Sequence, residues 1–108
     1  MIRTVGTSAA NTAQTVSTAN VSSVQELVMV TVAYSAAPTQ TGVVITLNSG
    51  AGAGYDVALS TGSANVQDTA YLPSAPIFIN ADDVIDCLAP AAGGAITSAV
   101  AIYTRPTK

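Results

Sequence analysis

Three glycines, Gly50, Gly52 and Gly54, fall within five positions of the stretch "LNSGAGAGYDV", between two apolar, strand-like runs. Glycines so dense could cradle a phosphate. A P-loop needs G-x-x-x-x-G-K-[ST], with the lysine reaching the phosphates and the hydroxyl reaching Mg²⁺. Counted from Gly50, the second glycine of that motif falls on Tyr55, and the chain's lysine is Lys108. The dinucleotide fingerprint G-x-G-x-x-G fails too: its last glycine falls on Tyr55 counted from Gly50, or on Val57 counted from Gly52. No helical pattern follows that could face a pyrophosphate. The run reads instead as a hairpin connection whose glycines supply positive φ and leave little bulk. That lack of bulk makes Gly50, Gly52, Gly54 and the adjacent Tyr55 candidate partner contacts.

The stretch "NADDVID" gathers Asn80 with the carboxylates Asp82, Asp83 and Asp86. A hard cation such as Ca²⁺ takes about six to eight oxygen ligands, so the cluster could contribute to a site. In an extended run, however, alternation sends Asp82 and Asp86 to one face and Asp83 to the other. The stronger reading is a turn whose aspartates accept backbone N–H bonds and start the strand "VIDCL", with no metal. Histidine is absent, which removes Ser-His-Asp and Cys-His catalysis. The single cysteine, Cys87, forms no intramolecular disulfide and sits in an alternating apolar strand, as a small core residue does. A glycosidase carboxylate pair would have to come from Glu26 and the aspartates, and the chain has no tryptophan to stack on a sugar. Tyr34, Tyr55, Tyr71 and Tyr103 suit core or interface packing with the hydroxyl hydrated. The expectation is a protein that is not an enzyme, with no catalytic residue, no metal and no cofactor.

Positioning elements come from composition and period. The 108 residues make one compact domain at most. Charged residues are 8% of the chain, far below the about 25% usual for soluble domains. Alanine and valine dominate the apolar 49%, with threonine, serine and asparagine supplying polarity, a mixture that favours strands and suits a protein that lives assembled with others. With a net charge of −3 and only Arg3, Arg105 and Lys108 basic, clustered phosphate contacts are missing, so no nucleic acid is expected. No apolar run approaches the roughly 20 residues that span a bilayer, and no signal-peptide core appears near the start. The expected setting is therefore a cytoplasm, with no membrane partner, and the Asn20 "NVS" sequon reads as chance.

Residues 1–20 carry no aromatic residue and no clean period. They are expected to form an extended N-terminal arm, flexible or ordered on a partner, with Val5 and Val16 as candidate contacts. From residue 21 to 108 the chain alternates with period two through "VQELVMVTVAYS", where Val28, Val30, Val32 and Tyr34 share one side, "VVITLNS", "YDVALS", where Tyr55, Val57 and Leu59 do, "VQDTAYL", "IFIN", "VIDCLA" and "AITSAVAIYTR". Turn signals separate these runs every 8 to 12 residues or so, the cue for an antiparallel β-sandwich. The expected fold is all-β, a sandwich of about seven to eight strands, with the jelly roll among its forms.

The runs "ELVMVTVAYSAAPTQTGVVITLNSGAGAGYDVAL" and "YLPSAPIFINADDVIDCLAPAAGGAITSAVAIYTR" are similar to small all-β virion proteins of tailed bacteriophages. The shared pattern runs from an "L-V-x-V-T-V" strand through an "A-A-P-T" turn to "L-P-x-x-P-I-x-I-x-A-D-D", over roughly residues 26–105. The resemblance implies a capsid decoration or cement protein, made in the host cytoplasm and found in the virion. Its implied partners are the major capsid protein, other virion proteins or further copies of itself in a homo-oligomer. Neck, tail or fibre components, and a carbohydrate-binding adhesion module, are the alternatives.

Overall fold

The computed structural model describes residues 1–19, 23–39, 42–63 and 65–107. The Asn20 sequon and the boundary expected at residues 20 and 21 lie outside them. The described residues form nine strands: β1 Ile2–Thr7, β2 Gln14–Ser17, β3 Gln25–Tyr34, β4 Val44–Asn48, β5 Val57–Thr61, β6 Asp68–Tyr71, β7 Phe78–Ile79, β8 Val84–Ala89 and β9 Ser98–Pro106. The one helical element among them is a short 3-10 turn, Ala53–Tyr55. The seven alternating runs expected after residue 20 correspond to β3 through β9. In β9 the period is plain: Ser98, Val100, Ile102 and Thr104 are buried, while Ala99, Ala101 and Tyr103 point the other way.

The strands make two antiparallel sheets. One has the order β1-β9-β3-β6, with β7 also on β3, and the other the order β2-β8-β4-β5. Between them Leu27, Val30, Val32, Val100 and Ile102 of the first sheet meet Val16, Ile45, Ile85 and Cys87 of the second. Each large aliphatic side chain so buried stabilises the fold by about 1.5–3 kcal/mol. Among the described residues no buried side-chain nitrogen or oxygen lacks a hydrogen-bond partner. The antiparallel β-sandwich is therefore the observed architecture.

Three local expectations change. In place of an extended arm, residues 2–7 pair with β9 from Ile2↔Thr104 to Thr7↔Ala99, and residues 14–17 pair with β8 from Gln14↔Ala89 to Ser17↔Asp86. The small polar residues that made the segment look featureless are what fasten it. Gln14 Nε2 donates to Ser98 Oγ at 2.8 Å, Ser98 Oγ to Ser8 Oγ at 3.0 Å, and the Ile85 N–H to Thr18 Oγ1 at 3.0 Å. Secondly, Val28 was expected on one side of β3 with Val30, Val32 and Tyr34. A register shift between Leu27 and Met29 inserts it as an extra residue, so Leu27 joins the buried side. Thirdly, Tyr55, which alternation sets on one side of the strand with Val57 and Leu59, lies in the 3-10 turn ahead of β5 and is 70% exposed.

Cys87 is fully buried, and desolvation pushes its thiol up to about 12. An unfolded cysteine ionises near 9.0, so between that pH and about 12 the unfolded chain binds fewer protons than the folded one. The thiol's contribution to stability is thus fully present below about pH 9 and is lost as pH rises toward the folded value. Urea unfolding from pH 7 to 11 is expected to show this decline, and Cys87→Ala to flatten it. A wild-type stability unchanged between pH 9 and 11 contradicts the assignment.

Candidate functional site

The outer face of the first sheet is built by its register. Gly6 faces inward, where an added Cβ would lie 2.6 Å from Val16 Cγ2, so Arg3, Val5 and Thr7 face outward. Across the sheet, Val5, Ala101, Thr31 and Ala70 lie in one row. Thr7, Ala99, Ala33 and Asp68 make the next. Arg3, Tyr103 and Met29 make the row on the other side. Alanine and threonine at the centre leave a shallow trough of about 610 Å³, at whose β1 side Val5 is 55% exposed. Arg3 and Asp68 stand at diagonally opposite corners of this face. Among the described residues neither takes part in an ion pair, and the pair that does form, Arg105–Glu26 at 3.1 Å, is superficial.

A second region occupies the end of the sandwich where β4 leaves and β8 begins. The Gly50 N–H donates to Asp83 Oδ1 at 2.9 Å and the Ser49 N–H to Asp56 Oδ1 at 2.8 Å, tying the glycine loop to itself and to residues 80–83. Tyr55 and Val57 stand exposed beside it. The carboxylates of "NADDVID" have separate partners: Asp83 holds Gly50, while Asp86, on β8, accepts from the Ser17 hydroxyl and from Asn48 Nδ2.

No protein-family model, curated protein or solved structure matches the chain.

The six residues expected to contact a partner therefore fall in three places. Gly50, Gly52, Gly54 and Tyr55 share the loop end, and Val5 lies on the outer face of the first sheet. Val16, only 8% exposed, belongs to the core and is withdrawn as a contact. Its alternation with exposed Thr15 and Ser17 turns it inward once β2 pairs with β8. The tyrosines form no common groove. Tyr34 is buried with its hydroxyl donating to the Pro90 carbonyl at 3.4 Å, at the other end of β8 from Tyr55, and Tyr71 is packed against the core. Burial, and then the neighbouring Cys87, raise the Tyr34 hydroxyl above its ordinary pKa. Among the described residues no helix is long and apolar enough to cross a membrane.

Sequence reasoning missed the small residues of the outer face. The available signal was Ala99 and Ala101 alternating with Val100 and Ile102 in β9, the small side chains marking the side away from the core.

The loop glycines differ in their tolerance. At Gly50 an added Cβ would lie 2.5 Å from Asp82 Cβ and 2.7 Å from its carbonyl oxygen, and Gly52 has φ 118 with ψ 166, a region open essentially to glycine alone. Gly54 meets nothing within 4 Å. Thermal melts are expected to show Gly50→Ala and Gly52→Ala each losing about 1–3 kcal/mol, while Gly54→Ala is neutral or gains up to about 1 kcal/mol. Equal losses at all three positions would contradict this loop geometry.

Proposed function

We propose that the protein is a structural subunit of a tailed-phage particle, a capsid decoration or cement protein that binds the major capsid protein and stabilises the shell by contact alone. The observation that carries this reading is the outer face of the first sheet, broad, apolar at its centre and charged only toward its margins, at Arg3, Asp68 and the Glu26–Arg105 pair. Covering such a face removes few charges from water while burying apolar area at about 25 cal/mol per Å². Many weak copies on one lattice then hold a shell through avidity.

The strand order supports the same setting. With the two-residue β7 set aside, the strands pair as nested partners: β1 with β9, β2 with β8, β3 with β6 and β4 with β5. We read this nesting as a jelly roll, an architecture found in viral capsid and lectin domains. That link is a fold-level analogy and weighs less than the face itself.

The test is co-sedimentation of the purified protein with particles of the phage that encodes it, followed by copy counting. Hundreds of copies per particle support capsid decoration. About six or twelve, the numbers set by neck and tail symmetry, place it there instead. No bound protein ends the virion reading.

A further inference from the structure

The free edge of β1 has chemistry that the face behind it does not account for. The Ser8 N–H donates to the Ser98 carbonyl at 2.9 Å, and β1 pairs with β9 residue by residue from there. In an antiparallel ladder, hydrogen bonding to one neighbour alternates along the strand. Ile2, Thr4 and Gly6 therefore bond to β9, and the N–H and C=O groups of Arg3, Val5 and Thr7 point away from the sheet. Among the described residues none of those groups has a backbone partner in a turn or loop. Edge strands are ordinarily blunted by proline, bulges, several charges or very short length. β1 has six residues in unbroken register, no proline, and Arg3 as its single charge.

We propose that this edge pairs with β1 of a second copy, antiparallel about a two-fold axis at Val5, to make an isologous dimer with one continuous sheet. The inference rests on reading the protein as an assembly module. Self-complementarity is what selects a second copy as the occupant. With Val5 opposite Val5 of the second copy, Arg3 lies opposite Thr7 and Thr7 opposite Arg3, so every free N–H meets a free C=O. Registers centred on Thr4 or Gly6 leave either Thr7 or Arg3 without a strand partner. No like charges oppose each other, and the exposed Val5 side chains meet at the junction of the two outer faces, a favourable β-branched cross-strand pair. A two-fold contact closes on itself, which turns an aggregation-prone edge into a defined dimer.

Sedimentation equilibrium of the full chain is expected to show a monomer–dimer equilibrium. Val5→Pro removes the central donor without touching a bond to β9, and should weaken association by roughly tenfold or more with little change in Tm. If that variant melts much lower, a second one decides. Val5→Cys should form a disulfide-linked dimer under mild oxidation, because paired strand residues lie within disulfide reach at a Cα separation of about 5.5 Å. Ala70→Cys, on the opposite edge strand β6, should stay monomeric, and the buried Cys87 should not take part. A monomer at all concentrations, or Val5→Cys linking no faster than Ala70→Cys, overturns the proposal. Particle binding and association measured side by side on the wild-type chain separate the two readings. Co-sedimentation without dimerisation rejects only the dimer, whereas dimerisation without co-sedimentation rejects only the virion role.

Discussion

A chain that begins at residue 20 is expected to lose its cooperative thermal transition. Removing β1 strips the backbone partners from one side of β9, and removing β2 does the same to β8, so both sheets lose an edge at once. Ten paired positions disappear, six along β9 and four along β8. Net ladder hydrogen bonds contribute about 0.5–1.5 kcal/mol each. The buried Val16 adds about 1.5–3 kcal/mol, and Thr18 no longer accepts from the Ile85 N–H. Together these approach the entire stability of a small domain, about 5–15 kcal/mol. Circular dichroism melts of the truncated and full-length chains make the comparison. A truncated protein that melts within a few degrees of the full chain would show that these residues are the dispensable arm suggested by their composition.

Replacing Ile85 by alanine is expected to cost about 2–5 kcal/mol and to lower Tm by roughly 10–20 °C. Ile85 has no exposed surface and sits on β8, between β2 and β4, facing the other sheet. Neighbours anchored in two ladders cannot collapse fully into the space left, so a cavity penalty adds to the lost transfer energy. Leu88, on the same strand but on its other face, is 39% exposed, and Leu88→Ala should change stability by no more than about 1 kcal/mol. Denaturant midpoints of the two variants, measured together, test the inward–outward assignment of β8. Equal losses would mean that the strand is turned differently from what its burial pattern shows.

Much of the sandwich was legible because a half-buried strand writes its orientation into the sequence with period two. Val100 and Ile102 against Ala99 and Ala101, or Ile85 and Cys87 against Asp86 and Leu88, need no partner strand to be recognised. Failures occurred where the period breaks for a local reason. The extra residue at Val28 reverses the phase of β3, and the 3-10 turn lifts Tyr55 out of the alternation that follows it. The N-terminal strands failed for a non-local one. Their sequence is too polar to bury a face alone, and their partners lie at the far end of the chain; Ser8 and Ser98 are 90 positions apart.

For the candidate site the division is similar. Composition alone determined that this is a weakly charged chain without histidine, and pattern alone determined that the glycine run joins two strands and fits neither phosphate-binding glycine motif. That Gly50 is pressed against Asp82 while Gly54 meets open space depended on how residues 80–83 fold back onto the loop. That Val16 is core and Val5 is surface depended on which strand each residue meets. Local sequence sets the alternation of side chains, because backbone geometry requires it. Which alternate side is covered, and which edge is left unpaired, is decided only when distant segments pair, because hydrogen bonding and burial are satisfied across the whole chain at once.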